Sequence, residues 1–76
     1  MSIGECIRAV RKQRGLTQFE LADKAHISRS YLGDVERDRY HPSIETLQRI
    51  ADVLAVPVGS LMGDSSSLAE LVAADN

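Results

Sequence analysis

The sequence predicts an all-α fold of five helices with a possible short sixth at its end. Three observations carry that expectation: apolar residues recur at helical spacing, Ser or Thr opens every periodic run but the fifth as a cap, and no stretch alternates in the manner of a β-strand. The elements follow in order along the chain.

Ser2-Ile3-Gly4-Glu5 reads as a capping box, in which the hydroxyl accepts from the third helical N–H while the glutamate reaches back to the cap. Ile3, Ile7 and Val10 then share a face until Gly15 supplies a left-handed stop, so the first helix covers about 3–14. Thr17-Gln18-Phe19-Glu20 is a second capping box, opening a helix over about 18–25 with Leu21, Ala22 and Ala25 on one face. Ser28 caps a third helix in which Leu32 and Val35 point inward; it ends near Arg37, where residues 38–42 break the pattern. Only His26 and Ile27 separate the second and third helices. Ser43, after Pro42, caps a fourth whose Ile44, Leu47, Ile50, Ala51 and Leu54 form a broad apolar stripe suited to sealing a core. Pro57 and the Leu61-Met62 pair before Gly63 mark a fifth helix of one or two turns. Residues 64–67 read as a linker, and Ser67-Leu68-Ala69-Glu70 opens a possible helix over 68–74 with Leu68, Leu71 and Val72 on one face. The expected division is a domain over 1–63 and a C-terminal tail over 64–76.

A content of 43% hydrophobic and 26% charged residues describes one globular domain. Its core is small, and chains below roughly 70–80 residues usually rely on a metal, disulfides, self-association or very regular packing. Cys6 is the lone cysteine, which excludes an internal disulfide and suits a reducing compartment. Cys6, His26 and His41 match no zinc spacing, so no metal and no cofactor are expected. Neither histidine has a catalytic partner at readable spacing, which argues against an enzyme and against a small-molecule ligand. No run approaches the ~18 apolar residues of a membrane span, and Met1 to Gly4 lack the features of a signal peptide. The expectation is a cytoplasmic protein. The net charge of −2 is unevenly distributed. Residues 1–41 carry eight Lys/Arg against six Asp/Glu, a balance of +2, whereas residues 42–76 carry Arg49 against five acids, a balance of −4. Such polarity allows the first half to meet phosphates and leaves the second for solubility or a protein partner.

Two short helices joined by a tight turn, the second leading into a polar loop, can lay one helix in the DNA major groove while its neighbour crosses the backbone. The run Thr17-Gln18-Phe19-Glu20-Leu21-Ala22, continuing through Ser28-Arg29-Ser30-Tyr31-Leu32 to Val35-Glu36-Arg37, resembles the helix-turn-helix of the phage-repressor family (Cro and repressor type, Xre-like). The resemblance extends through Pro42-Ser43-Ile44-Glu45-Thr46-Leu47 and Ala55-Val56-Pro57, about residues 3–62. It implies a five-helix repressor-type helix-turn-helix domain, with Ala22 as the small residue that lets the third helix approach the second. One departure is His26, where the family usually places glycine because the turn has positive φ. Histidine tolerates that region better than most residues, at a cost of ~1 kcal/mol.

With Leu32 and Val35 inward, stepping 100° per residue puts Ser30, Gly33, Asp34 and Arg37 on the opposite face, which is expected to meet DNA with Arg37 among its base-reading residues. Arg29 lies at its edge and is long enough to pair with guanine O6 and N7. The resemblance assigns Arg29, Ser30 and Asp34 to base-reading positions, and Gly33 would let the helix sit deep. Capped helix starts at Thr17, Ser28 and Ser43 offer free N–H groups to phosphates. By resemblance Gln18 is a phosphate-contacting glutamine, while Arg39, Tyr40 and Ser43 flank the approach to the other strand. Arg11 and Glu36 match a family ion pair of structural role. The apolar set Val58, Leu61, Met62, Leu68, Leu71 and Val72 exceeds what a short fifth helix can bury, so it is the expected surface of a homodimer on a two-fold operator in double-stranded DNA. The resemblance fits small phage or plasmid repressors and controller proteins of restriction-modification systems, and leaves repression and activation both open. The rival is a protein-interaction module, such as an antitoxin or coactivator, whose partner binds the acidic half.

Overall fold

A computed structural model describes residues 1–62. Four α-helices, α1 (Ile3–Gln13), α2 (Gln18–Lys24), α3 (Arg29–Glu36) and α4 (Ile44–Leu54), are followed by a 3₁₀ turn over Val58–Leu61, with no strand among the described residues. The tail helix expected over 68–74 lies outside the described residues.

Local chemistry sets the starts. Ser2 Oγ accepts from the Glu5 amide and Glu5 Oε1 from the Ser2 amide, each at 3.1 Å. Thr17 and Glu20 repeat the exchange at 3.0 and 2.9 Å. The backbone N–H of the cap residue, donating to the carboxylate, is the main cause that holds each glutamate carboxyl below its ordinary pKa. Ser28 and Ser43 cap α3 and α4 by accepting from the amides of Tyr31 and Thr46, at 3.0 and 3.1 Å. The stops are left-handed: Gly15 at φ 72°, His26 at 60°, Asp38 at 62° and Ala55 at 59°. Only the first is glycine.

Distant side chains tie α1 down at both ends. Asp38, just past α3, accepts from the Gly4 amide at 3.1 Å and from Ser2 Oγ at 2.7 Å. The approach is so close that a Cβ on Gly4 would meet the Val35 carbonyl and come within 2.7 Å of the Glu36 carbonyl, so glycine is required there. At the other end, Arg14 Nε donates 2.8 Å to the Leu54 carbonyl, one of the acceptors left open at the end of α4.

Ile7, Leu21, Ala22, Ala25, Leu32, Val35, Leu47, Ile50, Ala51 and Leu54 form the core, closed by Leu61 and Met62. Two expectations are corrected. Ile44 is 60% exposed, although its spacing joins the α4 stripe. At 100° per residue it lies roughly 70° from the centre of Leu47, Ile50, Ala51 and Leu54. The helix is rolled to bury Thr46 instead, whose hydroxyl oxygen accepts from Ser43 Oγ at 3.0 Å. The second correction concerns the homodimer surface. Leu61 and Met62 are 0% and 7% exposed, because the 3₁₀ turn packs against α1 and α4 and folds both side chains into the chain's own core. They are therefore not available to a partner. Val58 is half-buried against the same core, and Leu68, Leu71 and Val72 lie outside the described residues.

Candidate nucleic-acid interface

The turn between α2 and α3 is held by the His26 amide donating to the Asp23 carbonyl at 3.2 Å and the Ile27 amide to the Ala22 carbonyl at 2.9 Å. With Ala22 buried, α3 lies close against α2, and Leu32 and Val35 fix its rotation by facing the core. The opposite face opens into a cleft of about 260 Å³ lined by Gln18, Arg29, Ser30, Gly33, Asp34 and Arg37. Four sequence-predicted readers, Arg29, Ser30, Asp34 and Arg37, are thus brought together, joined by Gln18 from α2. Gly33 is buried on the cleft floor, and a Cβ there would lie 3.9 Å from both Arg37 Nη1 and Gln18 Oε1. A methyl group there would meet those two side chains at ordinary van der Waals distance, so the position is covered by them and is not an open patch of helix backbone.

Charge within the cleft is mixed. Asp34 Oδ1 stands 3.5 Å from Arg37 Nη1 and 3.9 Å from Arg39 Nη1. Its carboxylate thus lies between two exposed guanidinium groups, one from the residue that caps the end of α3 and one brought over by the loop. Arg39 reaches this position because its amide donates 2.8 Å to the Asp34 carbonyl, continuing the turn past the end of α3. Tyr40 packs beside Tyr31, with ring centroids 6.1 Å apart and planes inclined by 32°. Thr17, Ser28, Arg39, Tyr40 and Ser43 do not line the cleft. Thr17, Ser28 and Ser43 are occupied as helix caps.

Behind the cleft sits a buried ion pair. Arg11 Nε donates to Glu36 Oε2 at 2.7 Å and Nη2 to Oε1 at 3.1 Å, while Nη1 reaches the Leu16 carbonyl at 2.9 Å. Gln18 Nε2 donates to the same Glu36 Oε1 at 3.0 Å. Gln18 is therefore oriented by the pair that anchors α1 to α3. Sequence reasoning missed Arg8, which lines a second cleft of about 190 Å³ with Arg11, Gln18, Glu36 and Arg37. The signal was available: Arg8 precedes Arg11 by three residues and so shares its side of the helix.

The helix-turn-helix family profile matches residues 7–61. The immunity repressor protein of Bacillus phage phi105 is 49% identical over 70 residues, covering 92% of this chain and 49% of its own length. The chain spans about half the length of the curated relatives it matches most strongly. Among solved structures, the restriction-modification controller protein C.AhdI from Aeromonas hydrophila superposes with a TM-score of 0.77 at 32% identity, covering 79% of this chain and 91% of that one. The master regulator for biofilm formation SinR, in complex with DNA, gives 0.74 at 42% identity over 78% of this chain and 95% of that one. No helix among the described residues is long and apolar enough to cross a membrane.

Proposed function

The chain belongs to the helix-turn-helix family, and from that premise we propose that it is a sequence-specific DNA-binding regulator of transcription, a repressor or controller acting as a homodimer on a two-fold operator. The observation that carries this reading is the cleft in which Arg29, Ser30 and Asp34 of α3, with Arg37 at its C-cap, converge with Gln18 of α2. Arg29 reads a base edge from the start of α3, with Ser30 beside it. Asp34 holds Arg37 and draws in Arg39. Gln18, Arg39, Tyr40 and the capped helix starts at Thr17, Ser28 and Ser43 meet phosphates and set the register. The controller and repressor relatives support a regulatory outcome, and occupancy of the site is sufficient for one.

Random-site selection followed by mobility shift tests the proposal. Enrichment of one palindrome, bound as a dimer, supports it. Failure to enrich any sequence removes it and favours a protein partner for the acidic half.

A further inference from the structure

We propose that Arg8 on α1, together with Arg37 at the end of α3, holds a backbone phosphate of the bound nucleic acid in the second cleft, extending the interface beyond the helix-turn-helix onto the first helix. The inference rests on the DNA reading above. Its basis is the arrangement of charge around Glu36. Arg11, Gln18, Glu36, Arg8 and Arg37 line this cleft, and the first three are already committed to one another. Glu36 accepts three donors: its Oε2 takes Arg11 Nε, and its Oε1 takes both Arg11 Nη2 and Gln18 Nε2. Its charge is matched by Arg11 behind it, so it does not repel an incoming anion as a bare carboxylate would. Arg8 makes no ion pair among the described residues and is exposed, while Arg37 is held only by the longer 3.5 Å contact with Asp34.

Among the lining residues alone, Arg8, Arg11 and Arg37 against Glu36 leave +2 in the second cleft, whereas Arg29 and Arg37 against Asp34 leave +1 in the first, where Arg39 approaches the carboxylate from outside the lining. An anionic phosphate favours the former, and the neutral, patterned base edges suit the latter, where Ser30 and Asp34 add hydrogen-bonding groups of both signs. Gln18 and Arg37 line both clefts, so a strand whose bases face Arg29 would pass its backbone across Arg37 towards Arg8.

The test is equilibrium titration of the chain with its selected duplex over a range of salt concentrations, comparing the parent with Arg8→Ala and Arg8→Lys after circular dichroism confirms that both fold. Arg8→Ala should make log K against log salt shallower by about 1 for each bound protomer, with the base preference unchanged. Arg8→Lys keeps the charge and should keep the parent slope. A parent slope in Arg8→Ala overturns the inference and leaves the DNA reading standing, because the parent still selects its site. A slope lost equally in both variants traces the effect to side-chain shape rather than charge, and altered base preference in Arg8→Ala assigns the residue to bases; either result overturns the phosphate role. A parent that selects no duplex removes both readings together.

Discussion

Arg29 enters the cleft from the first turn of α3 with no ion pair among the described residues, whereas Gln18 commits its amide to Glu36 at 3.0 Å. Truncating each should therefore give different defects. Arg29→Ala should weaken binding to the preferred site by about 1–3 kcal/mol and relax the preference at one base pair in each half-site. Gln18→Ala should weaken all sites alike, and repeated site selection with each variant separates the two patterns. If Arg29→Ala keeps the parent's preference at every position, another residue is the reader. Glu36 presents a different problem, since its side chain is 2% exposed and its partner's 10%. Glu36→Ala would strand the Arg11 guanidinium in the interior, a loss of about 3–5 kcal/mol. That is a large fraction of the total stability of a domain this size, so urea denaturation should find the variant's midpoint far below the parent's. The Asp34–Arg37 contact could be read from its spacing of three residues, but Arg39 reaches Asp34 only through the course of the loop. The Arg11–Glu36 pair spans 25 positions and entered the sequence reading through family resemblance alone.

Element starts were legible because a cap is local: a hydroxyl, an amide three residues on and a returning carboxylate lie within four positions. Element stops were harder. Ala55 takes φ 59° without a glycine to announce it, and the Arg14 bond that satisfies the end of α4 comes from 40 positions away. The roll of α4 that exposes Ile44 and buries Thr46 was also out of reach, since the apolar pattern fixes a stripe only to within about one residue. The capping boxes carry a pH signature. Glu5 and Glu20 titrate below the ordinary 4.5 in the folded chain chiefly because the cap amides bind their charged forms. Their contribution is complete above the unfolded value and fades as the pH falls through the lower folded one. Thermal melts should therefore show stability declining as the pH drops below about 4.5, with the decline reduced in the Glu5→Gln, Glu20→Gln double variant. An unchanged pH profile in that variant would assign acid sensitivity to other carboxylates.

At the scale of the whole molecule, the proposed homodimer must form without Leu61 and Met62. The sequence shows a surplus of apolar residues near its end but cannot show which of them close the chain's own core. With Leu61 fully buried, Leu61→Ala should cost about 2–5 kcal/mol of folding stability, the usual effect of emptying a leucine site. Sedimentation at a temperature where circular dichroism finds the variant folded should then give the parent's association constant. A folded variant that dissociates more readily than the parent would return Leu61 to the interface. The Asp38 bridge has a consequence for dynamics. Amides in the first turn of a helix lack intrahelical acceptors and ordinarily exchange with solvent quickly. Gly4 does not fit that rule, since its amide hydrogen is held by a carboxylate lying just beyond α3. Its deuterium uptake should be slow for a first-turn position and should slow further when DNA occupies α3. Gly4 would then act as a native clock for the opening of an element it does not belong to, readable by NMR from a single cross-peak. Exchange as fast as that of Ile3 would mean that the bridge opens independently of α3.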